Sequence, residues 1–204
     1  MQPKDYYHKK AEHFGKSHGH TDNVTAIAEG ILGTFSYDNA STHVMDFGSG
    51  TGLLTQKIAP HVRKITTVDV SPAMNAQLKA KLEHFPCEVE MLECDLTCKE
   101  VDAVFDSIVS SMTIHHVEDV GALFEKFYRL LKNGGSIALA DLETEDGSFH
   151  SDDDTGVFHL GFELETFKAL AKQAGFEEVE ISIVTIAKKS TREYPVFLLT
   201  GRKG

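Results

Sequence analysis

Seven residues, Asp46-Phe47-Gly48-Ser49-Gly50-Thr51-Gly52, constrain this chain more than any other segment. Glycines at alternate positions follow an apolar run, His43 to Phe47, and precede a stretch of helical period. Glycine accepts the positive φ of a tight strand-to-helix turn, and without a Cβ it lets backbone N–H groups approach a ligand closely. About twenty residues on, Asp69 ends the next apolar run, where a carboxylate can accept from both hydroxyls of a ribose. Together these features favour a nucleoside ligand over a bare turn followed by an unrelated strand-end acid.

The rest of the chain alternates short apolar runs with helical-period segments, the pattern of a mostly parallel sheet covered by helices on both faces. Strands are expected at His43 to Phe47, Ile65 to Asp69, Glu88 to Leu92, Phe105 to Ser110 and Ser136 to Asp141. Two more, near Glu177 to Ile186 and Tyr194 to Thr200, have only a short polar link and should pair as an antiparallel hairpin. Helices are expected near Asp5 to Phe14, along Val24, Ile27, Ile31 and Phe35, and from Ser71-Pro72, where serine caps and proline presets φ. Another carries Val120, Leu123, Phe124, Phe127, Leu130 and Leu131 on one face and ends at Asn133-Gly134-Gly135. A last one, with Phe167, Leu170, Ala171 and Ala174, stops at Gly175.

With 204 residues, 41% of them hydrophobic, the chain fits a single domain spanning 1–204. Residues 1–40 would supply cap helices and 143–162 a lid-like insert. A formal net charge of −11 argues against nucleic acid, whose phosphates are held by Lys and Arg. Neither a signal peptide nor a membrane span is expected, so the chain reads as cytoplasmic. Cys87, Cys94 and Cys98 lack the paired spacing of a zinc or redox motif and read as reduced fillers.

The spacing Gly-x-Gly-x-Gly led by Asp46 resembles the first motif of class I S-adenosylmethionine (SAM)-dependent methyltransferases. A nicotinamide site usually places its third glycine one residue later, where this chain has Leu53. The resemblance extends through Val68-Asp69-Val70-Ser71-Pro72-Ala73-Met74, Glu93-Cys94-Asp95-Leu96 and Ser110-Ser111-Met112-Thr113-Ile114-His115-His116-Val117. It implies a three-layer, doubly wound, Rossmann-like sheet of seven strands with a C-terminal antiparallel hairpin, SAM as cofactor and S-adenosylhomocysteine as by-product. It further implies that Asp46, Gly48, Ser49, Gly50, Thr51 and Gly52 face the methionine part of SAM and that Asp69 holds the ribose hydroxyls. Asp95 would take the adenine amino group, and Val70, Met74, Leu96 and Ser110 would complete the cofactor site. For Met74 and Leu96, core packing and ring contact stay open alternatives. The enzymes that methylate amino groups of nucleic-acid bases typically carry Asn/Asp-Pro-Pro-aromatic after strand four, and this chain does not. It is more similar to the small-molecule branch, including quinone-biosynthesis enzymes.

Methyl transfer needs the acceptor held in line with the methyl–sulfur bond and shielded from water, so a base is optional. His115 or His116, just beyond strand four, could deprotonate an acceptor hydroxyl or thiol; the alternative is one packed and one solvent-facing histidine. Substrate contacts are expected from the cap helices and the insert, through Tyr7, Glu143, His150, His159 and Phe162. No metal is expected. The Asp152 to Asp154 run reads as a solvated acidic loop, though acids turned inward would select a cationic acceptor. A protein partner or a homo-oligomer stays open. Two rivals remain: a SAM-binding subunit without catalysis, and a nicotinamide-dependent oxidoreductase.

Overall fold

The computed structural model describes residues 18–150, 156–189 and 192–204, so the helix expected near Asp5 to Phe14, Tyr7 and the Asp152 to Asp154 run lie outside the described residues. Helix α1 (His18–Thr34) is followed by β1 (His43–Phe47), α2 (Leu53–Ile58), β2 (Lys64–Asp69), α3 (Pro72–Lys79), β3 (Glu88–Glu93) and β4 (Phe105–Ser111). Then come α4 (Val120–Leu130), β5 (Leu131–Leu142), α5 (Leu164–Gln173), β6 (Phe176–Lys189) and β7 (Arg192–Lys203). Among the described residues the seven strands form one sheet in the order β3-β2-β1-β4-β5-β7-β6. Neighbours from β3 to β5 run parallel, whereas β7 pairs antiparallel with both β5 and β6. The mixed sheet and closing hairpin are those expected from the sequence.

The alternation of side chains along each strand divides the core in two. On one face Met45, Ile108, Ile137, Leu139 and Phe197 pack beneath α4 and α5, around the rings of Phe124, Phe127 and Phe167. On the other, Val44, Val109, Ala138, Ala140 and Leu198 meet α1 and α2 through Ile27, Ile31, Leu54 and Ile58. Small residues here bring α1 close: a Cβ on Gly30 would lie 3.1 Å from Leu198 Cδ2. The central strands β1 and β4 are covered on both sides, so nearly all their residues are buried whether apolar or polar. The edge strand β3 alternates instead, as half-buried strands do.

Local signals set several boundaries as expected. Ser71 caps α3, its Oγ accepting from Met74 N at 3.3 Å, and Pro72 occupies the first turn. Asp119 caps α4 in the same way, accepting from Ala122 N at 2.9 Å. One boundary differs. Leu131 was assigned to the apolar face of a helix ending at Asn133, but α4 stops at Leu130 and Leu131 is already extended, paired with Phe105 of β4. Leu131 is buried in either geometry, so hydrophobic periodicity could not separate the two. The hairpin strands also run longer than expected, with register irregularities at Glu177/Glu180 and Ile183/Thr185. Glu178 takes a positive φ of 50° beside the first of these.

Candidate functional site

The strand order reverses between β1 and β4, and in open α/β sheets ligands bind in the crevice at the carboxyl ends of such a pair. The glycine loop leaves β1 at that point. Gly48, Gly50 and Gly52 have φ of 68°, 53° and 81°, a region closed to most side chains. Two of them are also needed for space: a Cβ on Gly48 would fall 2.0 Å from Thr113 Cγ2, and one on Gly52 2.3 Å from Leu78 Cδ1. The loop is tied to the neighbouring strand by Gly48 N and Ser49 N, both donating to Val68 O. Asp69 holds it from the other side, its Oδ2 accepting from Gly50 N at 2.7 Å and its Oδ1 from Ser71 N at 2.8 Å. Each carboxylate oxygen keeps lone-pair capacity beyond one N–H bond, so the same group can still accept from a diol.

Asp46, 1% exposed, lies under the loop and accepts from Thr55 Oγ1 at 2.5 Å. Burial, resisted by the Thr55 hydroxyl and reinforced by the charge of Asp69, pushes its pKa up to about 7. Burial raises Asp69 as well, against the pull of the Ser71 and Gly50 N–H groups. Two acids sharing one largely buried corner raise each other's cost of ionisation, so the corner suits a positively charged ligand. In the same loop Ser49 Oγ and Thr51 Oγ1 are buried and have no hydrogen-bond partner among the described residues. Buried hydroxyls are normally paired, and here a polar ligand can supply the missing bonds. The loop floors a cavity of about 90 Å³ that continues along Ser111, Met112 and Thr113 at the end of β4 and is also lined by Asn23, Ile27 and Phe149. Met112 carries a positive φ of 56°, backbone strain at the cavity wall.

The structure brings Asp46, Gly48, Ser49 and Gly50 to this cavity, with Asp69 behind them. Outside it, Val70 is 51% exposed beside Asp69, an apolar shelf open to a flat ring. Met74 and Leu96 are buried core side chains. Asp95 is exposed and caps a turn, its Oδ1 accepting from Thr97 N at 2.9 Å and Thr97 Oγ1 at 2.6 Å. Ser110 is fully buried and donates to Phe47 O at 2.9 Å, tying β4 to β1, while Ser111, Met112 and Thr113 reach the cavity.

Beyond β4 a short turn, Ile114–His116, presents both histidines. His115 is 3% exposed, and its Nδ1 lies 2.7 Å from Oδ1 of the fully buried Asp141, at the end of β5. His116 is half-buried, with Nδ1 2.8 Å from Gly156 O. The insert folds over this turn. Phe158 N and His159 N donate to His115 O, and the tilted His150 ring lies 5.0 Å from the His115 ring. Phe149, the residue before His150, lines the cavity. Of the other insert residues, Glu143 bridges to Phe162 at the base of the loop. His159 Nε2 lies 3.0 Å from Val117 O, and Phe162 packs on Phe167 and Phe197. These three build the loop rather than the cavity wall. Among the described residues no group of three or more His, Cys, Asp or Glu is placed to hold a metal ion, and no helix is long and apolar enough to cross a membrane.

Sequence reasoning missed the partner of His115 and part of the cavity lining. Asp141 had been read as the end of a strand. A lone carboxylate closing the apolar run Ile137-Ala138-Leu139-Ala140, at the ligand edge of a parallel sheet, was the available signal. Asn23 and Ile27 carried none, because their place depends on how α1 crosses the sheet.

Residues 45–139 match the family described as "Methyltransferase domain". Among curated proteins, an uncharacterized methyltransferase of Schizosaccharomyces pombe is 30% identical over 155 residues, 68% of this chain and 54% of the relative. Phosphoethanolamine N-methyltransferase 3 of Arabidopsis thaliana is 33% identical over 143 residues, 67% of this chain and 29% of the relative. The chain thus spans about half, or less, of the length of these relatives. Among solved structures, the N-methyltransferase NodS of Bradyrhizobium japonicum with S-adenosyl-L-homocysteine has a TM-score of 0.77 at 16% identity, covering 100% of this chain and 99% of NodS. Its fold is the fold described above, and the family match spans the glycine loop, β2 to β4 and the histidine turn.

Proposed function

We propose that this chain is a SAM-dependent methyltransferase of the class I fold that methylates a small organic acceptor, with an amine as the favoured acceptor class. The observation that carries this reading is the corner formed by Asp46, Asp69 and the unpartnered hydroxyls of Ser49 and Thr51 under the glycine loop. SAM is a nucleoside with a sulfonium and an α-ammonium group, so its charge answers the two acids and its ribose suits Asp69. The loop and cavity would hold the methionine part, and Val70 with Asp95 would meet the adenine. The chain would act as a single domain over 1–204, with residues 1–40 as a cap and 143–162 as a lid from which Phe149 and His150 reach toward the site.

When bound, SAM supplies an electrophilic methyl group: an acceptor lone pair forms the new bond to carbon as the methyl–sulfur bond breaks, its electron pair passing to sulfur. The protein's part is to align the acceptor, exclude water and remove a proton where the acceptor carries one. His115 is the candidate base for that proton. An amine is favoured because the Arabidopsis relative and NodS are both named N-methyltransferases, and because the site is acidic. The narrower likeness to quinone-biosynthesis enzymes draws no support from these relatives.

Calorimetric titration with SAM, S-adenosylhomocysteine and NADH, on the wild type and on Asp69→Ala, tests the cofactor. The two adenosyl ligands should bind and NADH should not. Asp69→Ala should weaken binding on the order of 10- to 100-fold by removing a charged acceptor. NADH binding, or affinity unchanged in the variant, sinks the reading. Methyl-labelled SAM with a panel of amines headed by phosphoethanolamine then identifies the acceptor.

A further inference from the structure

The loop, the cavity and the histidine turn leave the buried carboxylate of Asp141 without a task. Asp141 is fully buried at the carboxyl end of β5, two strands away from the glycine loop. Its Oδ1 lies 2.7 Å from His115 Nδ1 and accepts from Leu142 N at 2.8 Å, while its Oδ2 accepts from His115 N at 3.1 Å. Every one of these contacts calls for an acceptor. Burial alone would push the carboxyl upward, but His115 and the N–H groups of Leu142 and His115 bring it below the ordinary carboxylate range. Asp141 therefore faces His115 as an acceptor, which places a proton of the imidazole on Nδ1.

A neutral imidazole with its proton on Nδ1 has its lone pair on Nε2. That atom makes no hydrogen bond among the described residues, and it lies on the ring edge turned away from Asp141. The His116 and His150 rings stand 4.3 and 5.0 Å from the His115 ring, and Phe149 of the cavity lining is 5.2 Å from His150. The turn itself begins one residue after Thr113, which lines the cavity. His115 is thus clamped at its backbone and one ring nitrogen by a single carboxylate, two residues along the chain from Thr113 of the cavity lining.

We infer that Asp141 is a positioning residue, which holds His115 in the tautomer and orientation whose Nε2 takes a proton from the acceptor. This rests on the methyl-transfer reading above. For an ammonium acceptor, one N–H bond breaks and its proton passes to Nε2, leaving the lone pair that attacks the methyl group. The methylated nitrogen keeps a positive charge, S-adenosylhomocysteine is neutral at sulfur, and the imidazolium, stabilised by Asp141, later gives its proton to solvent. An anion behind the imidazole is useful here because the histidine gains charge at that step.

The test uses the full chain with S-adenosylhomocysteine bound. Nitrogen-15 spectra should show His115 with its proton on Nδ1, and a proton on Nε2 instead would overturn the inference without requiring any variant. Asp141→Asn keeps the size of the side chain but can turn a donor toward Nδ1. It should lower kcat for the best acceptor of the amine panel by 10²- to 10⁴-fold, the usual range for general-base catalysis, with KM and SAM affinity changed less than about threefold. Unchanged kcat in a folded Asp141→Asn protein overturns this inference alone. Absence of turnover by the wild type across the panel, with SAM bound, overturns the amine-acceptor reading, and this inference falls with it.

Discussion

Asp46 shows most directly how a single residue trades stability for binding. Its pKa is raised from 3.8 to about 7 by burial, so the folded state keeps a proton that the unfolded chain sheds as pH rises above 3.8. Stability therefore falls between those two values and levels off above about 7. Asp46→Asn removes the penalty. Urea unfolding should show the variant more stable than wild type by on the order of 1 to 3 kcal/mol at pH 8 and no more stable at pH 4. The same variant should bind SAM at least about tenfold more weakly at pH 8, where the wild-type carboxylate is ionised. Opposite signs in the two measurements would mark a side chain kept for its ligand. Loss of stability at pH 8 would refute the assignment of Asp46 as a strained acid.

At the scale of elements, the site is an assembly of termini: β1 and β4 end at the cavity, and the amino end of α3 adjoins Asp69 through the Ser71 cap. Ser71 acts twice, its Oγ accepting from Met74 N and its backbone N donating to Asp69 Oδ1. Ser71→Ala removes only the first bond. It should cost about 1 kcal/mol in thermal or chemical unfolding, the usual value of a lost cap, and leave SAM affinity within about threefold. A large loss of affinity would show that the cap, and not the backbone N–H, holds Asp69 in place. The insert is the other composite element. Glu143 and Phe162 close its base, Gly161 allows it because a Cβ there would lie 2.2 Å from Glu143 O, and its far side is laced to the His115 carbonyl. Movement of this loop and the environment of His115 are therefore coupled.

For the whole molecule, the two faces of the sheet divide the labour. The face under α4 and α5 carries the large aromatic cluster, in which the Phe167 ring lies 4.6 to 5.2 Å from those of Phe162, Phe197 and Phe124. The face under α1 and α2 has smaller residues, and α1 on this side helps line the cavity. Phe167→Ala should cost about 3 to 5 kcal/mol, as buried aromatic truncations do, and lower Tm on the order of 10 °C. SAM affinity measured well below the melting range should stay within about threefold, and ligand at 100 times its Kd should return about 2.7 kcal/mol of stability. An affinity loss as large as that of Asp69→Ala would mean that the two faces are not independent.

The sequence by itself determined whatever depends on short range. Glycine at 48, 50 and 52 answers a backbone conformation, Ser71-Pro72 answers a free helix end, and the alternation of apolar runs with helical periods answers burial on both faces of a sheet. These preferences are written within a few residues of where they act. The ambiguity at Leu131 arose where two local geometries bury the same side chain. Only the tertiary structure decided the pairings across the chain: His115 with Asp141, 26 positions apart, His116 with Gly156, 40 apart, and the Ser110 hydroxyl with Phe47, 63 apart. Such contacts follow from strand order and register, which no local preference encodes. The acidic corner under the loop was visible as residue types, but the high pKa of Asp46 and the unpartnered hydroxyls of Ser49 and Thr51 came from the exclusion of water, and only a packed fold excludes water.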